Sequence, residues 1–156
     1  MSFLRYLMVL SLVVWLGGLI FFAFAVAPAA FAVLPTRHLA GNVVGRTLGI
    51  LHWMGIIAGL VFLASSLFLS QCTRGTPHVF AGRNIIIVLM LALTLIAQFA
   101  IIPRMDALRA SMGEIDSVPP DNAARMQFDA LHVWSTRLEG GVLLLGLVVV
   151  YLTASL

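Results

Sequence analysis

Five residues in the C-terminal third of the chain could do chemistry together. Arg125, Phe128, His132, Ser135 and Glu139 follow one another at spacings of three, four, three and four. In an α-helix that rhythm keeps side chains on one face, so an imidazole, a hydroxyl and a carboxylate point the same way, with Gly146 continuing the stripe. A second histidine, His52, lies in a row of glycines: Gly41, Gly45, Gly49, Gly55 and Gly59. Thr94 and Gln98 stand one helical turn apart. Such groups suit three kinds of work: lining a polar pocket, ligating haem or a soft metal through His52 and His132, or bonding to one another to fix how helices pack.

The elements that must position these groups follow from composition. The chain has 156 residues, 62% hydrophobic and 10% charged, against about 45–50% and about 25% in an ordinary soluble domain. This excludes a soluble fold, a disordered chain and a nucleic-acid-binding domain with a solvated basic face. All nine basic residues are arginine, and they stand singly, mostly at the ends of apolar runs. Arginine there snorkels toward phosphate headgroups, so the expected partner is the lipid bilayer and not nucleic acid. The lone Cys72 excludes an intramolecular disulfide, and no Cys/His cluster has zinc spacing.

Apolar runs near the roughly 20 residues that cross a bilayer core predict four helices: 3–34 with a kink at Pro28, 36–71, 79–112 and 121–154. The first is read as an uncleaved transmembrane helix, because Tyr6 to Ala27 exceeds a signal-peptide core. Lipid forces such spans to be helical, and short connections make neighbours antiparallel. The expectation is an all-α membrane protein, one domain over 1–156, folded as an up-down-up-down four-helix bundle with both termini on the same side. Arg37, Arg46, Arg104, Arg109 and Arg125 outnumber Arg5, Arg74 and Arg83, which puts the first and third connections in the cytoplasm of an inner-membrane protein.

Small residues that let backbones approach mark packing faces in membranes. Gly45, Gly49, Gly55 and Gly59 on the second helix, with Trp15 and Gly18 on the first and the kink at Pro28, are the expected packing positions. His52, Gln98, His132, Ser135 and Glu139 are the expected polar pocket, and Arg46, Arg104, Asp106 and Asp129 its rim. Ionisable groups at membrane depth are costly and by default functional, but His52 also suits plain interhelical bonding to Ser135 or Glu139. Haem b or copper on His52 and His132 is the minority reading. His52 lies inside its apolar span while His132 precedes the apolar part of its helix, and Met54, two residues from His52, faces away from it. No nucleophile elbow and no phosphate-binding glycine loop occurs, so hydrolytic and phosphoryl-transfer chemistry has no support; no catalytic residue is assigned, and beyond that minority reading no cofactor is expected. A homo-oligomer or a partner membrane protein is a further expectation; the ligand is left open.

Several short elements recur together: Trp15-Leu16-Gly17-Gly18, Ala27-Pro28 with Phe31, Ile102-Pro103-Arg104, and Phe128-Asp129-Ala130-Leu131-His132 with Ser135. In that order they resemble the transmembrane protein 205-like family, also catalogued as a bacterial four-helix membrane domain of unknown function, across essentially the whole chain. A more distant similarity is to copper-resistance D-type and histidine-bearing haem membrane proteins. The resemblance implies a multi-pass protein with a transport or trafficking role and no established reaction. It carries recurrent positions onto Trp15, Gly18, Pro28, Phe31, Pro103, Phe128, His132 and Ser135. One turn after the serine, where family members can carry Asn, this chain has Glu139.

Overall fold

The computed structural model describes residues 2–155; residues 1 and 156, included in the single-domain expectation, lie outside it. Six α-helices follow in order: α1 (Ser2–Phe21), α2 (Ala27–Val33), α3 (Arg37–Arg74), α4 (Gly82–Ile96), α5 (Ile102–Met112) and α6 (Ala123–Ala154). Two π-helical turns, Phe22–Val26 and Ala97–Ile101, join α1 to α2 and α4 to α5 without a break. Four continuous rods result, Ser2–Val33, Arg37–Arg74, Gly82–Met112 and Ala123–Ala154, each long and apolar enough to cross a membrane. Among the described residues there is no strand. The protein is an all-α, four-helix, multi-pass membrane protein.

Both π turns have one physical cause. Pro28 and Pro103 are the second residues of α2 and α5. Proline has no N–H and its ring crowds the carbonyl four residues back, which is that of Phe24 or Phe99. The backbone relaxes by widening one turn, so the Ala27 N–H reaches the Phe22 carbonyl and the Ile102 N–H reaches that of Ala97. The irregularity expected at Pro28 is therefore spread over the turn before it, and Pro103 carries a matching one.

The rod ends are set by local chemistry. Leu34, preceding Pro35, is extended at φ −78°, ψ 141°, as the residue before proline prefers. Thr36 caps α3, its Oγ1 accepting from the Leu39 N–H at 3.2 Å. Gly75 ends α3 in the left-handed region at φ 73°, its N–H bonded to the Gln71 carbonyl at 3.0 Å. Asn122 caps α6, accepting from the N–H groups of Ala124 and Arg125.

Contacts run between α1 and α3, α3 and α4, α4 and α6, and α6 and α1, so the four rods close a ring. Trp15, 2% exposed, is the largest buried side chain. It lies so close against Gly55 and Gly59 that a Cβ at either glycine would collide with it. Leu51 closes on Gly18, and Leu16 on Gly146, in the same way. Lipid offers no hydrophobic drive for helix association, so this close approach is what holds the rods together. Gly49 departs from the expected packing stripe: a Cβ there would meet nothing within 4 Å. Phe3, Phe21, Leu144, Leu147 and Tyr151 are exposed on the outer surface, where lipid covers them.

The first and third connections meet at one end. The His38 N–H donates to the Asp116 carboxylate at 3.3 Å, and the Arg125 guanidinium donates to the Val118 carbonyl. At the opposite end the His78 N–H donates to Ser70 Oγ at 2.9 Å, and Arg83 Nε donates to Ser66 Oγ at 3.0 Å.

Candidate functional site

His52 is the pivot. It is 1% exposed, and both ring nitrogens are bonded: Nδ1 lies 2.9 Å from Gln98 Oε1 and Nε2 lies 2.5 Å from Glu139 Oε1. Each member comes from a different rod. Counted at 1.5 Å per residue from the end bearing the first and third connections, His52 lies about 22 Å down α3 and Glu139 about 24 Å down α6. Gln98 lies about 21 Å from the end of α5 on the same count. The three are level. Gln98 reaches the site from within the π turn Ala97–Ile101, so the widening caused by Pro103 also sets where this amide sits.

Proton counting follows from the partners. Drawn with the Gln98 amide oxygen at Nδ1, as the structure places it, that nitrogen carries a proton and donates it. One further proton then lies between Nε2 and the carboxylate, drawn either as imidazolium–carboxylate or as imidazole–carboxylic acid. In both drawings the His52–Glu139 pair is electrically neutral. That is the arrangement a low-dielectric interior tolerates best.

Glu139 also faces a cavity of about 620 Å³ that opens between the rods toward the end with the first and third connections. Its side chain is 17% exposed. Among the described residues its second carboxylate oxygen has no hydrogen-bond partner. Ser135 and His132 line the same wall one and two turns nearer the mouth; Ser135 is buried and His132 exposed. Phe22, Phe31 and Phe128 supply aromatic faces, and Leu19, Leu48 and Leu143 aliphatic ones. Around the mouth stand Arg37, Arg109 and Arg125 with Asp106, Asp116 and Asp129. Arg109 donates to Asp106 at 3.3 Å and holds its guanidinium 5.3 Å from the Phe128 ring centroid. It lies over Gly41 and Gly45, where an added Cβ would meet it only at ordinary contact distances of 3.6 and 3.4 Å.

The five residues expected in one pocket are thus divided between two shells. His132, Ser135 and Glu139 are on the cavity wall, whereas His52 and Gln98 stand behind Glu139 and are not part of the wall. Of the expected rim, Asp106 and Asp129 line the mouth; Arg46 and Arg104 are exposed elsewhere. Arg46 follows the inward Gly45 by one residue and Arg104 precedes Met105 by one, a rotation of about 100° away from the cavity. Their places are taken by Arg37, Arg109 and Arg125. The packing glycines divide similarly: Gly55 and Gly59 receive Trp15, while Gly45 receives the Arg109 guanidinium.

The haem and copper arrangements fit these residues poorly. Neither nitrogen of His52 is free, and His132, about 14 Å down α6, lies several ångströms nearer the mouth than His52. Met54 and Met126 are 41% and 60% exposed. Among the described residues no group of three or more His, Cys, Asp or Glu side chains is placed to hold a metal ion.

Arg109 and Arg37 are cavity residues that sequence reasoning did not single out. Gly41 and Gly45 lie beneath Arg109, but a Cβ at either would still fit there, so the glycines carry no signal of it.

A family model described as a domain of unknown function, DUF4149, matches residues 10–114. The match takes in His52 and Gln98 and stops short of α6, which carries His132, Ser135 and Glu139. Neither the curated proteins nor the solved structures include a match to this chain.

Proposed function

The chain belongs to the DUF4149 family, and on that premise we propose a transporter- or channel-like membrane protein that draws a ligand into the cavity between its rods. One observation carries the reading: Glu139 presents a free carboxylate oxygen to a cavity of about 620 Å³ while its other oxygen is held by a buried histidine. The volume falls within the roughly 300–1,000 Å³ typical of small-molecule pockets. A pure scaffold has no use for a carboxylate exposed to an aromatic cavity, where an apolar residue would pack as well at lower cost.

The likeness to the transmembrane protein 205-like family supports the same reading, since transport or trafficking is what that resemblance implies. The similarity to copper-resistance D-type and haem proteins gives a second candidate, but a haem or copper ligand role for His52 would require giving up its bond to Gln98 or Glu139. In the proposed arrangement the protein lies in the inner membrane, with the cavity opening to the cytoplasm and both termini on the other side.

Cysteine labelling tests the cavity. Ser135 is 5% exposed and lines its wall, so a thiol there meets a water-borne reagent only through the cavity. Maleimide needs the thiolate, hence water. In a Cys72→Ser background, Ser135→Cys is expected to react with a membrane-impermeant maleimide from one side of sealed vesicles. A buried Ser66→Cys control is expected not to react. Labelling of Ser135→Cys no faster than that control would refute the proposal.

A further inference from the structure

We propose that the cavity takes a lipophilic cation, bound at Glu139 in exchange for the proton shared between Glu139 and His52. The inference rests on the ligand-cavity reading above and adds the class of ligand and the coupling. Three observations converge. The deepest charged group on the wall is a carboxylate with one oxygen free. The cavity walls are aromatic and aliphatic, with Phe22, Phe31 and Phe128 placed between the depth of Glu139 and the mouth, and aromatic faces attract cations, most strongly when desolvated. The protein already seats one cation on such a face, since Arg109 lies 5.3 Å from the Phe128 centroid.

The remaining charges leave this carboxylate without a competing partner. Asp129, Arg125 and His132 face the cavity from α6, Asp106 and Arg109 from α5, Arg37 and His38 from α3, and Asp116 from the turn before α6. The α1–α2 rod and α4 contribute no ionisable group to the wall. Three arginines balance three aspartates at the mouth, so the sign of the deep cavity is set by the His52–Glu139 pair. While the pair keeps its proton it is neutral. If the proton leaves, His52 remains a neutral imidazole donating to Gln98, and Glu139 becomes an unpaired carboxylate in a desolvated wall. A bound cation supplies the missing counter-charge. One positive charge enters as one proton departs through the cavity to water, so the bundle's charge is unchanged. Cation and proton therefore bind reciprocally, as exchange across a membrane requires.

The probe is tetraphenylphosphonium, titrated into protein in mild detergent and followed with a cation-selective electrode and a pH indicator in weak buffer. Saturable binding is expected, releasing up to one proton per cation. Affinity should fall by about tenfold per pH unit on acidification wherever a full proton is exchanged. Glu139→Gln should lose both binding and release. Glu139→Asp should keep release at altered affinity, which preserves the test if the Gln variant does not fold. Cation uptake by the wild type with no proton release overturns the inference, as does equal binding by Glu139→Gln. Labelling of Ser135→Cys without any tetraphenylphosphonium binding overturns this inference alone, whereas absence of labelling removes the cavity reading with it.

Discussion

Replacing His52 by leucine keeps most of the side-chain volume and deletes both of its hydrogen bonds, so it isolates the polar contribution from packing. Interhelical hydrogen bonds in membrane proteins average about 0.6 kcal/mol and reach about 1.7. The two bonds made by His52, at 2.9 and 2.5 Å, set a loss of roughly 1–3 kcal/mol. Breaking a buried ion pair one-sidedly can cost about 3–5 kcal/mol, but that figure is an upper bound here. Glu139 is 17% exposed on the cavity, so water or a captured proton relieves part of the stranded charge. The informative comparison is the pair His52→Leu and His52→Leu/Glu139→Leu. Removing both partners leaves only Gln98 to satisfy, and replacing a whole polar pair by apolar groups is often close to neutral. The double variant should therefore be more stable than His52→Leu alone, by about 1 kcal/mol or more; with Glu139→Leu alone also destabilising, the coupling energy in the mutant cycle is at least that size. Reversible unfolding in mixed micelles, followed by circular dichroism, measures the wild type, His52→Leu, Glu139→Leu and the double variant. A His52→Leu variant within about 0.5 kcal/mol of wild type, below what even a single average bond is worth, would refute the argument. So would strictly additive losses in the double variant.

Two further expectations separate the glycines and the faces. Gly55→Ala must displace the Trp15 indole from a fully packed position and should cost about 1–3 kcal/mol by overpacking. Gly49→Ala meets nothing within 4 Å and should be neutral or stabilising by up to about 1 kcal/mol through helix propensity; thermal melts in detergent compare them, and equal losses would contradict the packing described. The exposed Cys72, near the end of α3 opposite the cavity mouth, should react with an impermeant maleimide from the outside of intact cells. Ser135→Cys should react only from the inside; labelling of both from one side would contradict the arrangement.

Much of this architecture was legible because lipid leaves the chain few choices. Four long apolar runs with proline and glycine between them have to be four helices, and the three–four rhythm from Arg125 to Glu139 has to lie on one face of the last of them. The relative depth of groups on different rods was harder to read. The shortest rod has 31 residues, about 46 Å, against a hydrocarbon core of about 30 Å. An apolar run therefore does not fix how far its rod slides along its neighbours. On the sequence alone His52 could pair with His132, Ser135 or Glu139. The structure settles on Glu139 because Trp15 locks the α1–α3 register against Gly55 and Gly59, while Leu16 locks α1 against α6 at Gly146.

Gln98 was hidden by the same kind of non-local effect. Its place depends on a π turn imposed by Pro103, five residues later, and a turn widened by one residue changes the phase of everything around it. The glycines show where such reading stops. Gly55 and Gly59 admit an indole from α1 that a Cβ would exclude, Gly41 and Gly45 lie beneath a guanidinium from α5 that a Cβ would still allow, and Gly49 faces nothing within 4 Å. Yet all five share one helical stripe of the sequence. A missing side chain announces vacant space, and what occupies that space is decided by whichever rod lies opposite. The polar groups follow the same logic. His52 is inward because the small residues around it are inward, but whether it serves as glue or as part of a site depends on whether its partner meets a cavity. Glu139 does, and that contact, not the histidine itself, is what turns a structural hydrogen bond into a candidate site of exchange.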